Sequence, residues 1–279
     1  MTTVSFGGLT FDDEASSGFT LSRLIGWYDG APSRRTVRDR PQADGAFGSA
    51  RFYRGARVIT VEGSYIGSSV PDAFTARDRL SALQAAGYSS PFGVTDPLGV
   101  RECSVELVSA PTADDGLYSS FFKFSFDVVA PDPRKYGPEV SVSSGLPTSG
   151  TGLTYPITYP ISYGTPGDPG RVTVENPGTV ETFSTFEVSG GLTGGFELKD
   201  ISSGRRLRLE RDVPLGSSVF LNARTGRAYL DVPANDVTGF LTVREWWSVP
   251  AGVSQDVQFS ALGVVSGVPT LTARTKPAY

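Results

Sequence analysis

The sequence predicts a mainly β protein in two strand-rich halves, separated by a biased segment and carrying one helix. Three observations lead there. Glycine (33) and proline (20) make up about a fifth of the chain with no collagen-like period, which favours short strands joined by turns. Hydrophobic residues at 39% and aromatics at 11% supply material for a core, which excludes wholesale disorder. Apolar and polar positions alternate over many short runs, and only one stretch repeats at helical spacing.

In the first half, expected over residues 1–137, the run 57–66 is rich in β-branched and aromatic residues and reads as a strand. The run 119–129 alternates, with Phe122, Phe124 and Phe126 on one face and Lys123, Ser125 and Asp127 on the other. Between them a helix is expected over roughly 71–86, with Pro71 in its first turn and Gly87 as its stop. Phe74, Ala76, Leu80 and Leu83 are expected to form its apolar side. Cys103 sits in an alternating run, 100–108, and reads as a small buried strand residue. As the single cysteine it excludes an intrachain disulfide.

Residues 138–164 read as a linker and an extended strap. Ser, Gly and Pro dominate 141–152, and Thr154-Tyr155-Pro156-Ile157 is repeated as Thr158-Tyr159-Pro160-Ile161. Prolines at that spacing keep the backbone extended but remove ladder donors, so an edge strand or a strap is expected. From 165 to 279 short strands follow one another at turn spacings of a β-sandwich, beginning with Arg171–Glu175 and ending near Thr270–Arg274.

The search for chemistry comes back nearly empty. Histidine is absent, which removes the commonest general base and the commonest zinc ligand. Glu181, Glu187, Glu197, Glu210 and Asp231 could in principle pair for glycoside hydrolysis, but they fall at strand ends and alternating exposed positions, where solvated carboxylates sit. Asp12-Asp13-Glu14 and Asp114-Asp115 adjoin small residues and read as turns rather than calcium loops. No phosphate-binding glycine motif is present, no signal peptide is expected from the N-terminus, and no run is long and apolar enough to span a membrane. No catalytic residue, metal or cofactor is expected.

Two features stand out from the background. The chain carries a formal charge of −4, yet residues 23–57 hold eight arginines (Arg23, Arg34, Arg35, Arg38, Arg40, Arg51, Arg54, Arg57) against Asp29, Asp39 and Asp44. Arg34, Arg35, Arg38 and Arg40 could be a solvated hairpin, a face that meets a partner, or the lining of a channel that DNA passes through. Trp246 and Trp247 are adjacent, so on a strand one points inward and the other outward, where it could meet a partner or stack on a glycan; the favoured reading is that the sandwich and the loop around Pro250 bury both.

Several segments, taken in order, resemble the C-terminal domain of phage distal tail proteins, those of siphophages and of actinobacterial prophages. They are residues 155–164, 172–179, 183–190, 203–209, 222–231 and 245–252, followed by the strand at 255–261. The first half is similar to that family's N-terminal domain in Trp27-Tyr28-Asp29-Gly30, the arginine-rich segment, the strand at 57–63, the helix, and Asp132-Pro133-Arg134-Lys135-Tyr136. The resemblance implies a ring-forming N-terminal domain (1–137), a β-sandwich with one helix that assembles as a homo-hexamer. It implies a C-terminal galectin-like sandwich (165–279) and a structural virion protein at the tail tip, made in the host cytoplasm, with no catalytic residues. The implied partners are the tail tube protein, a tail-tip or tail-associated protein and a receptor-binding protein or fibre, with transient passage of DNA. The rival reading is a carbohydrate-binding module of a host-surface adhesion device, which needs an exposed Trp246 or Trp247.

Overall fold

The computed structural model describes residues 2–14, 17–48, 52–114, 118–150, 152, 156, 159, 161 and 165–279. The chain divides into two units, Met1–Gly137 and Pro138–Tyr279, each with its own hydrophobic core. Both are built from antiparallel strands, so the protein is mainly β.

The first unit is one sheet that curls over a phenylalanine core. Its strands lie in the order Leu9–Phe11, Thr3–Phe6, Ser90–Asp96, Gly99–Leu107, Phe121–Ala130, Arg57–Ile66 and Phe19–Ile25, with Thr112–Ala113 added on Phe121–Ala130. Gly99–Leu107 is the corner: residues 99–105 pair with Ser90–Asp96, whereas 106 and 107 pair with Phe121–Ala130. The two ends of the sheet then meet, because Asp12 bridges to the last strand through a 2.8 Å hydrogen bond from the Leu21 amide to its carbonyl. This brings Phe6 over Phe126 at 5.7 Å and Phe11 against Phe124 at 5.3 Å. Each such fully buried ring contributes roughly 1.5–3 kcal/mol. The first hairpin turns on Gly7 and Gly8, both at positive φ (55° and 78°), as a two-residue turn of right-twisted strands requires.

The helix covers Val70–Ser81, shorter than the expected 71–86. Ser69 caps it and Pro71 occupies the first turn. It stops early because Gln84 takes a left-handed conformation and turns its side chain to the sheet corner. There its amide donates to the Val105 carbonyl (2.8 Å) and accepts from the Leu107 amide (2.6 Å). The helix buries Ala73, Ala76 and Leu80, with Leu83 buried in the turn that follows; Phe74, expected inside, is 46% exposed. Residue 73 rather than 74 completes the stripe, because 73, 76, 80 and 83 follow the three- and four-residue steps of one helix face.

The second unit is a sandwich of two five-stranded antiparallel sheets. One runs Val140–Gly145, Thr270–Thr275, Thr185–Ser189, Ser218–Asn222, Arg227–Leu230; the other runs Arg171–Asn176, Val253–Ala261, Phe196–Asp200, Arg206–Leu209, Leu241–Arg244. Their inner faces share one core, with Phe186, Leu221 and Leu271 from the first sheet and Val172, Leu198, Val257 and Phe259 from the second. Val140–Gly145 corrects the sequence reading, in which the serine-rich stretch from 141 began a linker. It is an edge strand in full register with Thr270–Thr275, because ladder bonds use the backbone and small hydroxyl side chains add to them, as Ser143 and Thr272 do at 2.9 Å. Most of the Tyr-Pro strap, including Tyr155, Ile157, Thr158, Pro160 and 162–164, lies outside the described residues.

Buried polar groups knit the sandwich ends. The Asn176 amide donates to the carbonyls of Val180 (2.8 Å), Val249 (3.1 Å) and Pro250 (3.2 Å), and its oxygen accepts from Gly178 and Ala278 amides. One side chain thereby ties three loops and the C-terminal segment together.

Candidate functional site

The described residues of the arginine-rich segment, 28–48 and 52–56, fold as a hairpin arm that belongs to neither core. Two short ladders hold it: Ser33–Arg34 pairs with Tyr53–Arg54, and Arg38–Asp39 pairs with Ala46–Phe47. The Gly55 amide bonds the Pro32 carbonyl at 2.6 Å near the base, and the Arg40 amide bonds the Gly45 carbonyl at 3.0 Å at the tip. Ladders this short cannot hold a lone hairpin by themselves.

What holds the arm is its root. Gly26, at φ +82°, passes so close to the Arg57–Ile66 strand that a Cβ would lie 2.1 Å from the Val58 carbonyl oxygen, so only glycine fits. Trp27 follows, fully buried against Phe92 at 5.8 Å. Arg57, 4% exposed, donates to the carbonyls of Gly26 (2.8 Å), Trp27 (3.3 Å), Asp29 (2.6 Å) and Pro133 (3.1 Å). Lys135 adds a 3.0 Å bond to the Trp27 carbonyl and stands 5.2 Å from that indole's centre. Burial lowers the pKa of both cations from their ordinary values. The two charges are therefore structural: they satisfy carbonyls that the entry and exit of the arm take out of ladders.

The eight arginines of the segment thus divide by environment. Arg57 is the buried root, and Arg23 pairs with Glu62 at 3.4 Å on the sheet. Arg51 lies outside the described residues. Arg34, Arg35, Arg38, Arg40 and Arg54 stand exposed on the arm. Among them stand exposed apolar side chains, Val37 (54%), Phe47 (59%), Phe52 (58%) and Tyr53 (64%). Arg38 is directly opposite Phe47, and the Arg40 guanidinium lies 5.9 Å over the same ring. Arginines interleaved with solvent-facing aromatics are the composition of an interface centre. The sequence showed the charge of this arm; its exposed aromatics could not be told from core residues there, since the run holds too few alternations to assign a face.

The tryptophan pair follows the reading in which the sandwich buries both rings. Trp247 is 4% exposed, packed against Phe186 at 5.5 Å, so its ring is closed to a glycan or partner. Trp246 is half-buried against the core of the sandwich, beside Gly226. Trp247 and Val249 are the buried positions of the segment 245–249, and Trp246, between them and Glu245, is partly buried against the same core. Among the described residues no three His, Cys, Asp or Glu side chains group as a metal site, and no helix is long and apolar enough to cross a membrane. Cys103 is buried, which pushes its thiol up to about 12. Asp200, buried at a turn, has its carboxyl raised by burial but lowered more strongly by hydrogen bonds from Ser203 and Ser202, and the net direction is down.

No family model matches the chain, and no curated protein matches it by sequence. Solved structures do share its fold. The Dit protein (gp 19.1) of phage SPP1, described as a paradigm of the hub adsorption apparatus in phages infecting Gram-positive bacteria, aligns over 100% of this chain and 99% of its own, with a TM-score of 0.67 at 15% identity. A chain of the phage P2 baseplate in its activated conformation with Ca aligns over 98% of both chains, with a TM-score of 0.55 at 10% identity. The same baseplate with Sr gives 0.54 at 10% identity, over 98% of this chain and 97% of that one. The chain has the fold of these phage hub and baseplate proteins from end to end.

Proposed function

We propose that this chain is a structural virion protein, the distal tail hub of a tailed phage. The first unit assembles as a homo-hexameric ring, and the protein joins the tail tube to the tail-tip and receptor-binding apparatus. The observation that carries the reading is the likeness to the SPP1 hub protein over 100% of this chain and 99% of that one. An arm rooted by buried cations and exposing aromatics fits a protein completed by assembly rather than by a small ligand. The sandwich unit takes the outward role, toward a tail-associated protein, a receptor-binding protein or a fibre, and DNA crosses the ring lumen in transit. The site of action is the tail tip, after synthesis in the host cytoplasm.

Negative-stain electron microscopy of the purified full-length chain, alone and mixed with its tail tube protein, tests this. Closed six-fold rings with a central hole, alone or capping tubes, are expected. Monomers that neither close alone nor cap tubes would remove the hub reading.

A further inference from the structure

Three connections cross between the two sheets at one end of the second unit. Within them, residues 190–195, 213–217 and 262–269 hold no Asp, Glu, Lys or Arg, in a chain of which 19% of residues are charged. The connections lie together because the strands they serve end together: Ser189 pairs with Ser218, and Val188 with Leu271. Backbone meets backbone across all three. The Val213 amide bonds the Leu192 carbonyl at 2.9 Å, the Thr193 amide the Val264 carbonyl at 2.9 Å, and the Ser266 amide the Gly191 carbonyl at 2.7 Å. The crossings are tight enough to require glycine. A Cβ on Gly190 would lie 1.9 Å from the Pro214 carbonyl oxygen, and one on Gly191, at φ +95°, 1.8 Å from that of Ser266.

On this frame stand Leu215 (71% exposed), Val264 (73%), Val265 (41%) and Val268 (85%). Leu192 and Val213 of the same connections are buried in the core beneath, so the exposed four form a second apolar layer. The Leu215 side chain abuts the turn after Val265, since a Cβ on Gly267 would lie 2.9 Å from it. The charges next to these stretches are engaged: Asp212 accepts from the Gly194 amide at 2.6 Å, and the Arg211 guanidinium lies 4.3 Å over the Phe240 ring. Contiguous exposed apolar surface marks a contact site, and on a backbone already held by hydrogen bonds its burial costs no loop ordering. We propose that this end of the sandwich docks a short, uncharged aliphatic segment of another tail-tip protein.

The occupant follows from size and charge. At the transfer free energies of Val and Leu side chains, the four offer roughly 300 Å² of apolar surface. A stable dimer takes about 800 Å² from each partner, so a second copy meeting this patch with its own falls well short. A segment of a few residues laid across the three connections matches the patch in extent, and an uncharged one leaves no buried charge unpaired. A lipid surface fits less well, because elements that enter a bilayer carry Lys or Arg and Trp or Tyr at headgroup level, and these stretches hold none. The inference rests on the hub reading and names the surface of the sandwich that takes the neighbour.

The test replaces Leu215 or Val268 of the full-length chain, in assembled tail particles, by photoreactive benzoyl-phenylalanine. Thr225, in the exposed turn at the other end of the sandwich, is the control position. After irradiation, adducts from 215 and 268 to one and the same other virion protein, through an uncharged stretch of it, are expected, and none from 225. In parallel, Val264→Asp with Val268→Asp is expected to cut the amount of that protein retained on the particles by about tenfold or more. The melt of the second unit and the incorporation of this chain are expected to stay unchanged. Adducts to this chain itself, within a copy or between copies, would overturn the proposal in favour of self-contact. Particles that assemble with neither adduct nor loss on the double substitution would overturn it and leave the hub reading intact. A chain that enters no tail particle would overturn both. Full-length chain that sediments with neutral phosphatidylcholine vesicles, and ceases to on the double substitution, would transfer the patch to lipid.

Discussion

The root and the tip of the hairpin arm are built from the same residue types and put them to opposite uses. At the root, Arg57 and Trp27 are buried, and four carbonyls converge on one guanidinium. At the tip, Arg38, Arg40 and Phe47 are exposed among the described residues. An arginine's contribution is therefore set by what its donors meet: buried carbonyls at the root, where its loss leaves unpaired polar groups, and water at the tip, where its loss is nearly free until a partner arrives. Root substitutions should change stability; tip substitutions should change association and leave stability alone.

The largest effect is expected at Arg57. Arg57→Met removes the guanidinium while filling much of its volume, and takes its donors from the carbonyls of Gly26, Asp29 and Pro133, leaving Trp27 only its bond from Lys135. A loss of about 3–5 kcal/mol is expected in urea unfolding, confined to the transition of the first unit. An unchanged melt would break the contrast between root and tip. Next comes Asn176→Ala in the sandwich, which removes five hydrogen bonds to loops and the C-terminal segment. A loss of about 3 kcal/mol should appear in the transition of the second unit, with the first untouched. Coincident shifts in both transitions would show the two units to unfold as one.

A smaller, pH-dependent effect is expected at Asp200. Its carboxyl pKa is lower in the folded state than in the unfolded chain, owing to Ser203 and Ser202. The stabilisation is present above the unfolded pKa and is lost as pH falls through the folded value. Asp200→Asn should therefore destabilise by about 1–2 kcal/mol at neutral pH, and the difference from wild type should shrink in strong acid. A gap that widened on acidification would mean that the carboxyl is held neutral. The smallest effect closes the series: Phe47→Ser, or Arg38→Glu with Arg40→Glu, should shift the melt by no more than about 0.5 kcal/mol. A larger loss would mean that the tip supports the unit's own fold.

Much of this architecture was legible before any coordinate. The strand at Arg57–Ile66 and the one beginning at Arg171 fall where their patterns put them, because alternation with one buried face is a local property of the chain. The inward Phe122, Phe124 and Phe126 follow from the same rule. Misreadings occurred where a distant partner decided the outcome. The helix ends at Ser81 because Gln84 serves Val105 and Leu107, more than twenty residues away in sequence. Ser141–Gly145 looked like linker because its strand character comes from pairing with Thr270–Thr275, at the other end of the chain.

By itself, then, the sequence determined the class of the protein: a mainly β, histidine-free chain in two halves with a cationic segment. Composition and short-range periodicity carry that information without reference to any contact. Only the tertiary structure decided which arginines are structural and which stand exposed, and that both tryptophans pack against the sandwich core. Those properties depend on desolvation, and desolvation depends on what the folded chain brings alongside a residue, which no spacing of nearby letters encodes.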